Sequence, residues 1–204
     1  MMSSTHAAAG LLLVWPLLRA FPEFATVGAL AALAGGVFPD LDLAVGEHRK
    51  TLHYPIVYWL PAVSAAGIAI VSPSMWAVAA AALFGSAALH SATDWLGAGD
   101  ELRPWERTSE KAVYLHPRRR WLSPKYWVRY DGAPEDLFVA VAFAAPSVYV
   151  LDGVAQTAVV AAVAVSALYV LVRKPMVLVT QKVVDALPPR FVDRLPARFV
   201  EDFR

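Results

Sequence analysis

Six apolar stretches separated by short polar breaks constrain this chain more than any other feature of its sequence. They lie at about 7–18, 24–38, 56–71, 75–96, 137–151 and 154–172. Hydrophobic residues make up 58% of the 204 positions and charged residues only 17%, against about 25% charged residues in a typical soluble domain. A chain of this length cannot hide so much apolar surface from water. We therefore predict an all-α, polytopic membrane bundle of about six short helices.

The polar breaks predict three helical hairpins. Segments 19–23, 72–74 and 152–153 contain proline, glycine, serine and charged residues, which favour turns. Several apolar stretches are shorter than the ~20 residues of a standard spanning helix. The first hairpin could therefore enter the membrane only partway, packed against protein. The first five residues contain no Lys or Arg, unlike a signal peptide, so we expect them to belong to the mature fold.

Basic residues are distributed very unevenly over the two sides that these hairpins define. The N-terminus, segments 39–55 and 97–136 and the C-terminal tail share one side, which holds 17 of the 18 Lys and Arg residues. Only Arg19 lies on the other side. The positive-inside rule makes the basic side cytoplasmic. We expect a multi-pass protein of a prokaryotic cytoplasmic (inner) membrane, with both termini in the cytoplasm.

The loop and the tail on the basic side differ in composition from the apolar stretches. Segment 97–136 interleaves eight Lys and Arg residues with Trp and Tyr, which is typical of the headgroup layer. We predict a membrane-embedded domain of residues 1–172 that includes this interfacial loop, followed by an amphipathic cytoplasmic tail, 173–204. Membrane lipids are the expected partners. No nucleic-acid partner is expected, and the oligomeric state is left open.

The histidines and aspartates are the candidates for chemistry. The chain has five His and no Cys, so a bound metal would be held by imidazole and carboxylate groups. His90 and Asp94 are four residues apart, which places them on one face of a helix. An aspartate inside an apolar stretch is costly and is typical of a functional site. The alternative is a His–Asp hydrogen bond that joins two helices.

Asp40 and Asp42 form the second candidate pair. They follow Pro39, which disfavours a continued helix, and in an extended chain residues two apart point the same way. Two converging carboxylates repel each other unless a cation lies between them. The alternative is an N-cap at the end of a helix.

The remaining histidines lie in polar segments. His48 and His53 would be about 140° apart on a continuous helix, so only a turn between them could bring both to one ion. The alternative is a basic loop that contacts anionic headgroups. His6 opens the first apolar stretch, and the hairpins return it to the side of Asp40. His116 precedes Pro117 and three arginines, and we expect it at the surface.

The predicted topology thus brings seven candidate ligands to one cytoplasmic face: His6, Asp40, Asp42, His48, His53, His90 and Asp94. Nitrogen and oxygen donors without thiolate suit one or two divalent metal ions, with Zn²⁺ or Mn²⁺ expected first and Fe²⁺ also compatible. Such sites activate water for the hydrolysis of phosphate and acyl esters. Arg49 could hold an anionic oxygen of the substrate, and Glu47 could act as a general base.

Four short motifs occur in order: Thr5-His6-Ala7-Ala8, Pro39-Asp40-Leu41-Asp42, His48-Arg49 through His53, and His90-Ser91-x-x-Asp94. Over about residues 3–110 they resemble the YdjM-like (DUF457) family of inner-membrane proteins, which are described as metal-dependent hydrolases. Lys50, Leu52 and Tyr54 depart from the Gly, Thr and Ser that this family often has. The resemblance implies a metal site more directly than it implies a reaction.

Two functions follow as hypotheses. The first is a membrane-bound metal-dependent hydrolase acting on a phosphoester or ester of a lipid or lipid-linked substrate. The second is a non-catalytic metal-binding scaffold or partner-binding protein, whose coordination shell would be closed to water. A transporter fits less well, because its site would be expected near the membrane midplane.

Overall fold

The computed structural model describes residues 1–192 of the chain, and this part is mostly helical, as predicted. Its α-helices are α1 Ser3–Ala20, α2 Ala25–Val37, α3 Trp59–Val71, α4 Met75–Thr93, α5 Pro134–Val150, α6 Gly153–Ala186 and the short α7 Pro189–Val192. Two short strands, β1 Val113–Leu115 and β2 Arg120–Leu122, pair antiparallel. The first six helices form three helical hairpins, because each predicted break lies between two successive helices.

Three helical segments of the described chain are long and apolar enough to cross a membrane, judged by length and composition. They are Pro22–Leu43, Met75–Leu96 and Gly153–Ala186. The 13-residue helix α3 is apolar but shorter. These segments are compatible with a membrane protein. A bundle in which six helices are embedded, and the side on which each terminus lies, stay predictions.

Close backbone contacts bring α1, α2 and α4 together. A Cβ atom at Gly36 of α2 would overlap the backbone of Ala7 in α1, and one at Gly35 would overlap the carbonyl group of Leu83 in α4. Small residues allow helices in a membrane to approach this closely, where apolar burial does not drive their association. The three helices that carry His6, Gly36 and His90 are thereby held side by side.

The predicted interfacial loop folds back onto one end of the helices. The strand residue Tyr114 donates its backbone N–H to the carbonyl of Arg49 at 3.0 Å, and Trp127 donates to Leu96 at 2.8 Å. Lys111 lies over the ring of Trp121 at 5.4 Å. The aromatic and basic residues therefore contact one another, while the position of this loop in the headgroup layer stays a prediction.

Helix α6 continues without interruption through the predicted domain boundary at 172/173. Arg173, the first residue of the predicted tail, is buried and pairs with Asp131 at 2.8 Å. Arg173 therefore takes part in an internal ion pair, and the division of the chain at 172/173 stays a prediction. Residues 193–204 of the predicted tail lie outside the described residues, and the surface location of the tail stays a prediction.

Candidate metal centre

Three imidazole rings and two carboxylates converge at one end of the helical hairpins. His6 comes from the first turns of α1, Asp40 from the 3₁₀ turn after α2, His53 from the loop before α3, His90 from the last turn of α4, and Asp94 from the 3₁₀ turn that follows α4. The rings of His6 and His90 stack with their centroids 3.9 Å apart. Residues separated by almost 90 positions in the chain therefore share one pocket.

The nitrogen and oxygen atoms at the centre of this pocket lie close together. The distances are His6 Nε2–Asp94 Oδ1 3.0 Å, His53 Nε2–Asp94 Oδ2 3.0 Å, His90 Nε2–Asp40 Oδ1 3.4 Å, His90 Nε2–Asp94 Oδ2 3.5 Å and His53 Nε2–Asp40 Oδ1 3.6 Å. Two overlapping groups, His6–His90–Asp94 and Asp40–His53–His90, each offer three ligand atoms within 4.8 Å of one another. Both groups could hold a metal ion.

Each of the three central histidines is held from behind through its Nδ1 atom. His90 Nδ1 lies 2.6 Å from the carbonyl oxygen of Gly36, and His53 Nδ1 lies 2.8 Å from Asp42 Oδ2. His6 Nδ1 lies 2.9 Å from the hydroxyl of Thr93, which donates its own proton to Leu89 O at 2.7 Å and so accepts from His6. All three partners are acceptors, which assigns the proton to Nδ1 and leaves the Nε2 lone pair of a neutral ring directed at the centre.

The atoms at the centre lack hydrogen-bond partners. His6 Nε2, His53 Nε2, His90 Nε2 and Asp94 Oδ2 are buried, and none of them makes a hydrogen bond. His53 Nε2 is near enough to Asp94 for a hydrogen bond, but the two groups are not aligned for one. Buried acceptors that face one another are unfavourable unless something positive lies between them. These residues therefore fit a divalent cation, and their support through Nδ1 is typical of metal-ligating histidines.

The negative charge around His53 also favours a bound cation. Burial lowers the pKa of His53, but the neighbouring carboxylates of Asp40, Asp42 and Asp94 outweigh burial and raise this pKa to about 11. The pocket thus attracts positive charge to this Nε2 atom. A proton on His53 Nε2 could satisfy only that nitrogen and one neighbouring carboxylate oxygen. A metal ion could bind several of the three imidazoles and two carboxylates at once, and these groups are the donor set of a metal site.

The extended conformation predicted for residues 40–42 is wrong. Phe38–Leu43 forms a 3₁₀ helix, in which residues two apart point about 120° away from each other. The two carboxylates therefore do not converge. Asp40 reaches the centre and also accepts a 2.5 Å hydrogen bond from Ser3, whereas Asp42 lies behind His53.

Asp42 and His48, both predicted as ligands, lie outside the central group of atoms. Asp42 is fully buried, and its two oxygens accept hydrogen bonds from His53 Nδ1 at 2.8 Å, His48 Nδ1 at 2.9 Å and the backbone N–H of Leu52 at 3.2 Å. The predicted turn between the two histidines is present, with Arg49 in a left-handed conformation at φ 59°. This turn directs both rings at Asp42, so the two residues position His53 in this arrangement.

Arg49 and Glu47, the predicted catalytic residues, have contacts of their own. Arg49 is buried, and its Nη1 donates to the backbone carbonyls of Ala98 and Ala112, the second at 3.2 Å. Its Nε is buried and has no hydrogen-bond partner. Glu47 is exposed and pairs with Lys50. The catalytic roles of Arg49 and Glu47 stay predictions.

Asp136 supports the centre and was not anticipated from the sequence. Its buried carboxylate accepts hydrogen bonds from the backbone N–H of Met2 at 2.7 Å, the hydroxyl of Thr5 at 2.7 Å and the N–H of Gly132 at 3.1 Å. Helix α1 has no capping side chain of its own at Met2. A carboxylate from α5 therefore caps the turn of α1 that carries His6.

His116 also supports the centre, although we expected it at the surface. Its Nε2 lies 2.8 Å from the carbonyl oxygen of Lys50 and 3.1 Å from that of His53. Its ring stacks on Tyr54 at 4.3 Å. The loop of residues 97–136 thereby holds the backbone of the segment that carries His53.

Comparison with known proteins does not assign the chain to a family. No protein-family model, curated protein or solved structure matches the chain. The resemblance to the YdjM-like family therefore stays a prediction. The candidate metal centre is supported by the positions of its side-chain atoms alone.

Proposed function

We propose that this chain is a membrane-bound, metal-dependent hydrolase that cleaves a phosphoester or ester of a lipid or lipid-linked substrate. The observation that carries the proposal is the set of three Nε2 atoms and one Asp94 carboxylate oxygen that are buried without hydrogen-bond partners at one end of apolar helices. Zn²⁺ or Mn²⁺ suits this donor set. Bound there, such an ion would polarise both a water molecule and an ester oxygen.

The exposure of the five central residues supports access from one direction. The side chain of Asp40 is 17% exposed, whereas those of His6, His53, His90 and Asp94 are 0–3% exposed. Next to Asp40 in the chain, Leu41 is 52% exposed and Leu43 is 58% exposed. A partly exposed carboxylate close to exposed apolar side chains suits the headgroup end of a lipid better than it suits a fully polar substrate.

The supporting residues would act by position and charge. Asp42, Thr93 and the carbonyl of Gly36 hold the three histidine rings, so that their Nε2 atoms stay directed at the centre. The positive charge of Arg49 acts on Asp94 through an attractive Coulombic interaction, and the Nε of Arg49 retains an unused N–H group. This N–H is available to an anionic oxygen of the substrate.

A non-catalytic metal-binding scaffold is the second candidate, and one observation favours it. Five donors from protein side chains could complete the coordination shell of a single ion, leaving no open position for water. The hydrolase needs either two ions sharing these donors or one ion held by fewer of them. Metal content and turnover together separate the two functions.

The test uses the full chain, purified in detergent and loaded with Zn²⁺ or Mn²⁺. We expect metal-dependent release of product from a panel of phospholipids, lipid phosphates and acyl esters. Asp94→Asn should lower turnover more than the about 10- to 100-fold expected for a residue that only supports a ligand. Asp152→Asn is the matched control, because Asp152 is exposed in the turn between α5 and α6.

Three outcomes are informative. Turnover that Asp94→Asn abolishes and Asp152→Asn leaves unchanged supports the hydrolase. Bound metal without turnover on any substrate class refutes the hydrolase and favours the scaffold. A chain that binds no divalent metal refutes both functions.

A further inference from the structure

Arg49 is a buried cation without an ion-pair partner. It is only 6% exposed, and its guanidinium group forms no ion pair with a carboxylate of residues 1–192. An arginine side chain stays protonated in a protein. A buried charge is costly unless an opposite charge pairs with it. This position therefore suits an anionic ligand that comes from outside the described chain.

The guanidinium group uses only one of its three nitrogen atoms within the described chain. Nη1 has two N–H groups, and it donates to the backbone carbonyls of Ala98 and Ala112. Nε is buried without a hydrogen-bond partner. Nη2 makes no hydrogen bond with residues 1–192 either, and unlike Nε it is not fully buried. The Nε–H and one N–H of Nη2 are parallel, so this edge is free to bind two oxygen atoms side by side.

Arg49 lies next to the candidate metal centre. Its Nη1 donates to Ala98, which follows Asp94 by four residues in the chain. The residue before Arg49 is His48, which contacts Asp42 behind the centre. The positive charge of Arg49 attracts the carboxylate of Asp94 from beyond hydrogen-bonding distance. An anion held by Arg49 would therefore lie close to a metal ion held by Asp94.

The free edge of Arg49 fits a phosphate group better than an acyl ester. A guanidinium edge binds an anion that presents two oxygen atoms to it. An acyl ester is neutral before cleavage, and its tetrahedral intermediate has only one anionic oxygen. A phosphodiester has two non-bridging oxygens, and this edge would occupy both. A phosphomonoester has three, so two can bind Arg49 while the third binds a metal ion.

We propose that Arg49 is a substrate-binding residue that selects a phosphomonoester, with Nε and Nη2 bound to two phosphate oxygens and the third oxygen at the metal centre. The proposal rests on the hydrolase function proposed above and narrows its substrate class. Hydrolysis forms a bond between the water oxygen and phosphorus and breaks the bond between phosphorus and the ester oxygen. A proton of the water passes to that ester oxygen, so the products are an alcohol and inorganic phosphate.

The first test detects phosphate binding without requiring turnover. The full chain is loaded with Mn²⁺ in detergent, freed of unbound ion and titrated into inorganic phosphate while ³¹P relaxation is measured. Bound Mn²⁺ accelerates the relaxation of a phosphorus atom that lies beside it. We expect saturable acceleration with inorganic phosphate and glycerol 3-phosphate, and about tenfold or weaker binding of dimethyl phosphate, which lacks the third oxygen. Equal binding of dimethyl phosphate, or no binding of inorganic phosphate by the metal-loaded wild type, would overturn the proposal.

Arg49→Lys tests the residue itself, because lysine keeps the positive charge and lacks the planar edge. The variant should retain the wild-type metal content and bind inorganic phosphate about 10- to 100-fold more weakly, as expected for lost hydrogen bonds to a charged group. Arg118→Lys is the matched control, because Arg118 is exposed between β1 and β2. Equal phosphate affinity in the two variants would refute the role of Arg49. If Arg49→Lys folds poorly, the comparison of phosphate monoester and diester on the wild type decides.

A lipid phosphate and a soluble phosphate present the same group, so a further comparison uses dihexanoyl phosphatidic acid and glycerol 3-phosphate. Tighter binding of phosphatidic acid supports a lipid-linked monoester. Equal binding supports a soluble monoester and contradicts the lipid part of the proposed function. A metal-loaded chain that hydrolyses acyl esters but binds no phosphate refutes this inference and leaves the hydrolase intact. A chain that binds phosphate through Arg49 but hydrolyses no substrate refutes the hydrolase and leaves the phosphate site.

Discussion

Asp42 provides the sharpest test of how the candidate centre is built. Its carboxylate accepts from His53 at 2.8 Å and from His48 at 2.9 Å, so we expect it to orient His53 without binding the metal. In Asp42→Asn the amide oxygen can still accept from His53, while the amide nitrogen faces His48. The side chain of His48 is 26% exposed and can turn to water.

The expected magnitude follows from these contacts. Replacing the charged carboxylate behind a metal-ligating histidine with a neutral amide is expected to lower metal affinity by about 10- to 100-fold, or about 1.4–2.8 kcal/mol. Losing the one hydrogen bond to His48 should destabilise the fold by only about 1 kcal/mol. Asp42→Ala should destabilise it by a further ~1–3 kcal/mol, because the buried Nδ1 of His53 then has no partner.

The assay is competition for Zn²⁺ between the purified protein and a chelating dye, together with elemental analysis of the metal-to-protein ratio. Asp42→Asn should keep the wild-type ratio with weakened affinity, and His48→Ala should change affinity by less than about tenfold. Asp94→Asn should lower the ratio itself. If Asp42→Asn lost the metal completely while Asp94→Asn retained it, the assignment of ligand and supporting residue would be refuted.

Two further predictions concern metal removal and packing. Chelation should lower the melting temperature of the wild type by about 5–10 °C, because a metal at 100 times its Kd contributes about 2.7 kcal/mol; an equal decrease in Asp94→Asn would contradict this. Gly36→Val should overlap Ala7, displace the carbonyl that holds His90 and lower metal content. Gly67→Val is the control, since a Cβ at Gly67 meets no atom within 4 Å. Equal metal content in the two glycine variants would contradict the packing argument.

Much of the local structure could be predicted because its causes are local. The turn residues at 72–74 and 152–153 mark the ends of helices, and they separate α3 from α4 and α5 from α6. The four-residue spacing of His90 and Asp94 is a property of one helix end, and their side chains do lie 3.5 Å apart. The proximity of His6 to Asp94 follows from the order of the hairpins.

The roles of individual residues depended on contacts that local sequence does not determine. Whether Asp40 or Asp42 faces the centre depends on the 3₁₀ conformation of the turn, and proline before the pair did not decide between 3₁₀ and extended backbone. Asp136 contacts Thr5 across 131 positions, and His116 contacts the backbone of His53 across 63. Such pairs follow from tertiary packing, so no motif near either residue could reveal them.

The capping of α1 by Asp136 has a consequence for how the protein is made. All five central side chains belong to the first 94 residues, but the carboxylate that holds the first turn of α1 is translated 42 codons later. A nascent chain could therefore expose every coordinating group before His6 has a fixed orientation. Loading of the proposed ion is then expected to follow the packing of α5 against α1, late in biosynthesis, rather than to accompany emergence of the candidate ligands from the ribosome.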